Sequence, residues 1–545
     1  MMTEQDSFGR FRGTFFPIYG HELKKLIPLT LIFFCISFNY SVLRSFKDML
    51  MYNNMVDGRK SIYCAKVLVI PSIFFLTFLY TFIAKRVNRD VRFNIVTFFF
   101  AAFFFSFVLF AYPGEFNEAL QISWFDKYIE SNSKLAPWFD CLRKWPITIF
   151  YIFVESWGTI MLGVSFWTFA NEINSSKQAK RVYSFLMIGA AIGSIFAGLF
   201  IKVFENDTFI NLIVPCVLIF VLALVYNYLG YKVRKYPVEY EIEEKIEKKK
   251  KVKLSFVASI RLILKSRYLL LLLCVVLGYN VFMVLLESIW KGSINAYKNY
   301  LVELYTKTTS SLDPKKLAEK EIKNVYFLQN IFVGLLSLFI IFFFSRTVSK
   351  KRWSLVAFVT PFIGGVMSLL FMFSYFFIKK FLPEGSSFLG GINPLHLSVL
   401  IGLAITVFIK ASKYVFFDTS KERAYIPLDE EARVNGKAAI DAIGSRLGKG
   451  MSAIFISTVL DPFFSVETVA IISFILLFLI LILWIFAILR LSPEYEAKLA
   501  ASMSANVKPN LDMNQDVNAN NNSEISTSIS SAEADTEDSS SSNEE

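Results

Sequence analysis

One charged stretch decides how this chain can fold: Lys413–Gly450, which reads KYVFFDTSKERAYIPLDEEARVNGKAAIDAIGSRLGKG. Apolar runs lie on both sides of it, and the rest of the chain reads as apolar helices. Ionisable residues are costly inside a bilayer and mark a functional pathway, unless they form structural ion pairs. We therefore expect this stretch and isolated charges in earlier helices to form an anion path through a membrane.

The composition indicates a polytopic membrane protein. Of 545 residues, 54% are hydrophobic, 59 are Phe and only 19% are charged, which a soluble core could not accommodate. Residues 1–25 contain no short apolar stretch with a small-residue cleavage site, so no signal peptide is predicted. The five cysteines are isolated and there are two histidines, so we expect no metal site, no disulfide framework and no cofactor.

The net charge of +12 is unevenly distributed along the chain. Beyond Ala505 there are nine acidic residues and one lysine, which leaves about +20 on residues 1–504. These basic residues lie in short loops between apolar runs, a pattern that reports membrane topology. A lipid bilayer is therefore the expected partner, and nucleic acid is not.

Twelve apolar runs approach the roughly 20 residues that cross a 30 Å hydrocarbon layer. The predicted fold class is an all-α polytopic membrane protein with about 12 transmembrane helices. The runs are 26–43, 65–84, 93–112, 145–170, 182–204, 210–229, 268–290, 325–344, 353–377, 395–417, 438–460 and 465–491.

The basic loops predict the orientation and the division of the chain. Loops 85–92 and 346–352 and the linker with Lys248–Lys251 are the most basic connections, which places both termini in the cytoplasm. The predicted domains are a cytoplasmic segment, a first six-helix half, a basic cytoplasmic linker, a second six-helix half and a disordered acidic tail rich in Ser and Asn. They cover 1–25, 26–231, 232–267, 268–491 and 492–545.

An internal repeat supports two halves. AAIGSIFAG (Ala190–Gly198) in the fifth run and DAIGSRLGK (Asp441–Lys449) in the eleventh share Ala-Ile-Gly-Ser at an offset of 251 residues. The two basic loops recur at nearly the same offset. Parallel repeats of six helices are typical of the major facilitator superfamily, and we expect a major-facilitator-like architecture.

Few ionisable residues lie within the predicted runs. Lys47 and Glu287 lie at similar depths in runs one and seven, which is the arrangement expected around a central cavity. The alternative for Lys47 and Arg44 is snorkelling to the interface, and the alternative for Glu155 is a structural ion pair with a neighbouring cation. The principal candidates for substrate binding or transport are Lys47, Glu155, Glu287, Arg446 and Lys449, and further candidates are Arg44, Tyr151, Trp167, Lys421 and Lys437.

The repeat also indicates that the substrate is negatively charged. Arg446 and Lys449 stand where the first half has Ile195 and Gly198, and they lie three residues apart on one helix face. Arginine binds phosphate oxygens bidentately and lysine supplies a point charge, so phosphate-bearing small molecules fit best. GSRLGKG lies in an apolar helix and is not a Walker A loop, so we do not expect an ATP-hydrolysing enzyme.

Several segments resemble the ATP/ADP translocase family of obligate intracellular bacteria and plastids, over about His21 to Leu491. They are HELKKLIPL, FCISFNYSVLRSFKD, VESWGTIMLGVSFWTFANEI, AKRVYSF and SKYVFFDTSKERAYIPLDEEARVNGKAAIDAIGSRLGKG. The resemblance implies exchange of ATP for ADP in a bacterial inner membrane. Four charged positions of the family match Lys47, Glu155, Glu287 and Lys449, although Lys437 lies close to the last. SFKD (Ser45–Asp48) stands where members of the family often have DTKD, so the resemblance leaves open which nucleotides are transported.

The resulting hypothesis is a monomeric antiporter with alternating access. Lys47, Arg446 and Lys449 would hold the phosphates, and Tyr151 or Trp167 would stack on the base. Lys421 and Lys437 would lie in a cytoplasmic connector. Their alternative roles are a solvated surface, a salt-bridge gate or direct contact with the substrate. One alternative is a proton-coupled nucleotide importer in which Glu155 or Glu287 titrates. Another, more remote, is a membrane receptor or scaffold that docks partners on its acidic tail.

Overall fold

The computed structural model describes most of the chain. The described residues are 20–84, 86–112, 118–131, 134–174, 176–236, 256–308, 313–381, 393–428, 432 and 436–537. Within these ranges every regular element is a helix. Most of the predicted N-terminal segment and residues 237–255 of the predicted linker lie outside the described residues, so the assignments there stay predictions.

Twelve long helical segments follow one another along the described chain, and they agree in order with the twelve predicted runs. Some contain consecutive α-helical and π-helical pieces. They are α1 (Leu23–Asn54), α2 (Gly58–Ala84), α3 (Arg89–Ser106 and Phe107–Ala111), α4 (Trp145–Trp157, Gly158–Ser165 and Phe166–Ile173), α5 (Ser176–Val203), α6 (Thr208–Lys235), α7 (Arg267–Thr308), α8 (Pro314–Lys350), α9 (Trp353–Phe381), α10 (Pro394–Ser412, Lys413–Phe417 and Asp418–Tyr425), α11 (Lys437–Ile454 and Phe455–Leu460) and α12 (Val466–Glu537).

Eleven of these segments are long and apolar enough to cross a membrane. The exception within the described chain is α11, whose apolar sequence is interrupted by Asp441, Arg446 and Lys449. Many phenylalanines on the outer faces are exposed; Phe78 and Phe373, for example, are 68% and 69% exposed. Such surfaces are stable only against lipid. The all-helical, multi-pass membrane fold expected from the sequence is therefore confirmed.

Helices α7 and α12 extend furthest beyond their predicted ends. Helix α7 continues for 42 residues, to Thr308, because Tyr297 and Leu301 beyond the predicted end remain buried. Helix α12 runs to Glu537 and so differs from the predicted disordered tail over 492–537. Tyr495 is still buried against Trp353, with ring centroids 5.3 Å apart, and a helix that is already formed extends with one hydrogen bond per added residue.

Helices distant in sequence meet along close contacts. Helix α5 packs on α8 and α2 packs on α11. The α5–α8 contact depends on small residues, because a Cβ atom on Gly198 would lie 2.9 Å from the carbonyl oxygen of Phe327. These two pairs join the first six helices to the last six.

Candidate functional site

A group of buried and half-buried charges lies where α1, α2, α4, α7, α10 and α11 meet. We call it the central charge cluster, and it contains six cations and three carboxylates. Its members are Arg44, Lys47, Asp48, Lys66, Glu155, Glu287, Lys291, Lys410 and Lys449. The cations outnumber the carboxylates, so the cluster is suited to a multiply charged anion.

One part of the cluster surrounds Glu287 of α7. Its Oε1 atom lies 3.1 Å from Nη2 of Arg44 and 3.4 Å from Nζ of Lys410, and its Oε2 atom lies 3.4 Å from Nζ of Lys66. Arg44 and Lys66 belong to α1 and α2, whereas Lys410 belongs to α10. Glu287 therefore joins the first six helices to the last six.

The other part surrounds Asp48 of α1. Its carboxylate lies 2.9 Å from Nζ of Lys47 and 2.7 Å from Nζ of Lys291 in α7. The Lys47 ammonium also lies 3.1 Å from Glu155 of α4 and 3.8 Å from the centroid of the Tyr151 ring. The side chain of Lys47 is 2% exposed, so this principal sequence candidate is enclosed by its partners in the conformation seen here.

Lys449 connects the cluster to solvent. It interacts electrostatically with Glu155, Arg44 and Glu287, yet it is exposed. Lys449 therefore lies at the solvent-accessible edge of the central charge cluster. The predicted candidates Lys47, Glu155, Glu287, Lys449 and Arg44 thus lie within one interacting group.

Arg446 lies one helical turn before Lys449 in α11 but forms no ion pair with the central charge cluster among the described residues. It precedes Gly450 by four residues and so shares its helix face, and Gly450 lies against Ile70 of α2. The Nη1 atom of Arg446 is buried and has no hydrogen-bond partner among the described residues. The structure therefore separates Arg446 from the ion pairs of the central charge cluster.

The two aromatic candidates occupy different environments. Tyr151 is fully buried, and its ring faces the Lys47 ammonium, so it is not open to a base in this conformation. Trp167 packs edge-on against Phe33 and Phe166. It follows Glu155 by twelve residues in α4, which places it several helical turns further along the helix, away from the cluster.

Lys421 lies in the last piece of α10 and Lys437 is the first residue of α11, so the structure places both in helices and not in the predicted connector. Lys421 lies 3.6 Å from Glu422, and Lys437 also pairs with Glu422 and lies over the Tyr425 ring. Neither side chain forms a described contact with the central charge cluster. Lys449, in contrast, interacts electrostatically with Glu155 and Glu287.

Sequence reasoning missed four members of the cluster: Asp48, Lys66, Lys291 and Lys410. Lys410 lies inside the predicted run 395–417, so the cost of a charge in a membrane span would have identified it. The other three lie at or near the ends of predicted runs, where a charged side chain reaches water without a partner.

The side of the molecule on which α1 and α7 end is closed by polar contacts. Arg59 of α2 pairs with Asp461 after α11, and both side chains are 3% exposed. Lys298 of α7 donates to the carbonyl oxygen of Tyr52 of α1. These contacts join the first six helices to the last six, and under the predicted orientation they lie at the outer, non-cytoplasmic face.

Comparison with known proteins gives consistent matches along nearly the whole chain. The profile of a family described as TLC ATP/ADP transporter matches residues 1–495. ADP,ATP carrier protein 1 of Rickettsia prowazekii (strain Madrid E) is 32% identical over 512 residues, which cover 90% of this chain and 97% of that relative. ADP,ATP carrier protein 1 of Chlamydia muridarum (strain MoPn / Nigg) is 31% identical over 530 residues, which cover 92% and 94%.

A solved structure shows the same type of fold. The crystal structure of the nucleoside transporter NupG aligns with a TM-score of 0.50 at 12% sequence identity, covering 87% of this chain and all of that one. At this identity the likeness concerns the fold alone, and it agrees with the major-facilitator-like architecture expected from the repeat.

Proposed function

Because the chain belongs to the TLC ATP/ADP transporter family, we propose that it exchanges ATP for ADP across a bacterial inner membrane by alternating access. The central charge cluster carries this proposal. Six cations face three carboxylates there, and Lys449 connects them to solvent. A surplus of positive charge in a protected space stabilises a phosphate-bearing anion and rejects neutral solutes.

The proposed site uses the charges predicted from sequence. Lys449 and Arg44 are the accessible cations that meet the phosphates first, and Lys47 becomes available when its contacts with Asp48 and Glu155 rearrange. Arg446 approaches the nucleotide only if α11 moves relative to α2. Tyr151 becomes available to the base only if Lys47 leaves its ring.

The direction of exchange follows from alternating access and topology. Contacts such as Arg59 with Asp461 close the face that the basic loops place outside the cytoplasm, which supports a site that opens to the cytoplasm in this conformation. Both termini are proposed to be cytoplasmic because the basic loops lie on that side. We propose a monomeric carrier that moves nucleotides without hydrolysing them, since no Walker A loop follows a strand in the sequence.

Reconstitution into liposomes tests the proposal. Uptake of labelled ATP is measured in liposomes that contain ADP and in liposomes that contain none, each with and without a proton gradient. We expect rapid uptake only with internal ADP and no requirement for the gradient. Equal uptake with and without internal ADP would contradict obligate exchange, and uptake that requires the gradient would favour the proton-coupled importer.

A further inference from the structure

We propose that Lys66 and Lys410 act with Arg44 as a clamp for the polyphosphate chain, and that Glu287 occupies this clamp until the nucleotide displaces it. This inference rests on the proposed function and assigns the phosphates to a defined part of the central charge cluster. It also adds Lys66 and Lys410 to the substrate-binding residues.

The charges around Glu287 do not balance. Three cations lie within 3.4 Å of its two oxygen atoms, and none of the three has another carboxylate among its described ion pairs. One carboxylate neutralises one positive charge, so about two remain uncompensated in an environment that screens charge poorly. A di- or triphosphate chain supplies the missing negative charges and several acceptor oxygens together.

The clamp is accessible, unlike the group around Asp48. The side chains of Lys66 and Lys410 are 15% and 12% exposed and that of Arg44 is 36% exposed. The side chains of Lys47 and Lys291 are only 2% and 4% exposed. An entering phosphate therefore reaches the cations around Glu287 without first breaking the buried ion pairs.

The two groups of six helices place opposite charges at corresponding points. Glu155 in α4 is followed three residues later by the π-helical segment Gly158–Ser165, and Lys410 in α10 is followed three residues later by the π-helical segment Lys413–Phe417. Such segments interrupt a helix and often accompany functional sites. The cation in α10 makes the side of the last six helices more favourable to an anion.

Displacement of Glu287 explains how exchange can be obligatory. In the empty protein Glu287 of α7 is bound to Arg44 and Lys66 of α1 and α2, so this ion pair holds the two groups of helices together. Phosphates that take over these cations release the connection and allow the helices to move. An empty carrier would keep the connection and would not return without a nucleotide.

Binding of nucleotides that differ only in phosphate number tests the clamp. Lys66→Gln and Lys410→Gln are compared with wild type by isothermal titration of the purified, folded protein with ATP, ADP, AMP and adenosine. Loss of one charged hydrogen bond corresponds to about tenfold weaker binding or more. We expect about tenfold weaker binding of ATP or more, a smaller decrease in affinity for AMP and unchanged affinity for adenosine.

Lys60→Gln is the matched control. Lys60 lies on α2 six residues before Lys66, is 28% exposed and pairs with Asp57 at 3.7 Å, so its removal is expected to leave nucleotide binding unchanged. Equal losses for ATP, AMP and adenosine in the two clamp variants, or unchanged ATP binding, would overturn the clamp. Thermal unfolding of each variant identifies any loss of nucleotide binding that results from misfolding. If a Lys→Gln variant does not fold, the Lys→Arg variant at the same position replaces it and is expected to bind ATP.

Glu287→Gln tests the displacement separately. We expect tighter ATP binding, because the competing carboxylate is absent, and increased ATP uptake into liposomes that contain no ADP. Weaker ATP binding, together with ATP uptake that still requires internal ADP, would contradict the displacement of Glu287. If wild type binds ATP through Lys66 and Lys410 but shows no exchange with internal ADP, the proposed function fails while the clamp remains.

Discussion

Asp48 shows how single residues make buried charges tolerable. It follows Lys47 directly in α1 and is shared between Lys47 and Lys291, at 2.9 Å and 2.7 Å. Burying an unpaired charge is costly, whereas a paired and hydrogen-bonded one is acceptable. Asp48 therefore fixes the position of Lys47 and also connects α1 to α7.

Replacing Asp48 tests this positioning role. Asp48→Asn leaves Lys291 without its described carboxylate partner, and we expect destabilisation of about 3–5 kcal/mol together with loss of exchange. The measurement is thermal unfolding in detergent combined with liposome exchange. The double variant Asp48→Asn with Lys291→Met is expected to recover stability but not exchange.

Asp57→Asn is the control for this experiment. Asp57 is half-exposed, pairs with Lys60 at 3.7 Å and accepts a hydrogen bond from the Lys60 amide at the start of α2, a role that asparagine retains. Its change is expected to cost less than about 1 kcal/mol. A similar loss in both variants would argue against a special role of Asp48.

At the scale of helices, close packing between α5 and α8 determines how tightly the first six helices contact the last six. A Cβ atom on Gly334 of α8 would lie 2.5 Å from Cγ1 of Ile195 and 2.7 Å from the carbonyl oxygen of Ala191. No real Cβ atom tolerates such distances to backbone, so glycine is required where the two helices cross.

Gly334→Ala tests the close approach of these helices. The added methyl group forces α5 and α8 apart, and we expect a loss of about 1–3 kcal/mol in stability and slower exchange. Gly163→Ala in α4 is the control, since its Cβ atom would have only the carbonyl oxygen of Gly158 nearby, at 3.8 Å. Unchanged unfolding and exchange in Gly334→Ala would show that the contact adjusts freely.

At the scale of the whole molecule, buried polar contacts close the face that the proposed orientation places outside the cytoplasm. Arg59 and Asp461 form a buried ion pair between α2 and the end of α11, and Tyr52 donates its hydroxyl hydrogen to the carbonyl oxygen of Lys291 at 3.3 Å. Alternating access requires these contacts to break when the outer face opens.

Labelling of Cys141, which lies between α3 and α4, tests whether this face opens. Cys141 is buried, and its sulfur lies 3.5 Å from the carbonyl oxygen of Ser61 near the start of α2. We expect Asp461→Asn to favour the outward-open state, so that a membrane-impermeant maleimide labels Cys141 several-fold faster in a background without the other cysteines. The charge reversal Arg59→Asp with Asp461→Arg should restore slow labelling, and unaltered labelling in Asp461→Asn would contradict this role of the ion pair.

Exchange of nucleotides of different charge makes the whole transport cycle sensitive to voltage. ATP carries about four negative charges and ADP about three, so one net charge crosses per cycle, worth about 2.3 kcal/mol per 100 mV. A potential of about 100 mV, positive inside, should change the final ratio of internal ATP to ADP by up to about fiftyfold. The measurement uses potassium gradients with valinomycin, and a ratio independent of voltage would indicate that another ion compensates the charge.

Apolar run length in the sequence by itself determined the all-helical membrane fold and the order of the spans, and charge patterning selected Lys47, Glu155, Glu287 and Lys449 as candidates. A charge within an apolar run is costly wherever its helix packs, so its position is visible without knowledge of partners. In the structure, the charged stretch Lys413–Gly450 contains the end of α10 and the charged helix α11, with a connector between them.

Only the tertiary structure decided which charges meet. Glu287 contacts Arg44 and Lys66, which precede it by 243 and 221 residues, and Arg446 lies apart from this group although it shares a helix with Lys449. Helical periodicity fixes the depth and the face of a side chain, but its partners depend on how helices from both ends of the chain pack around one central space.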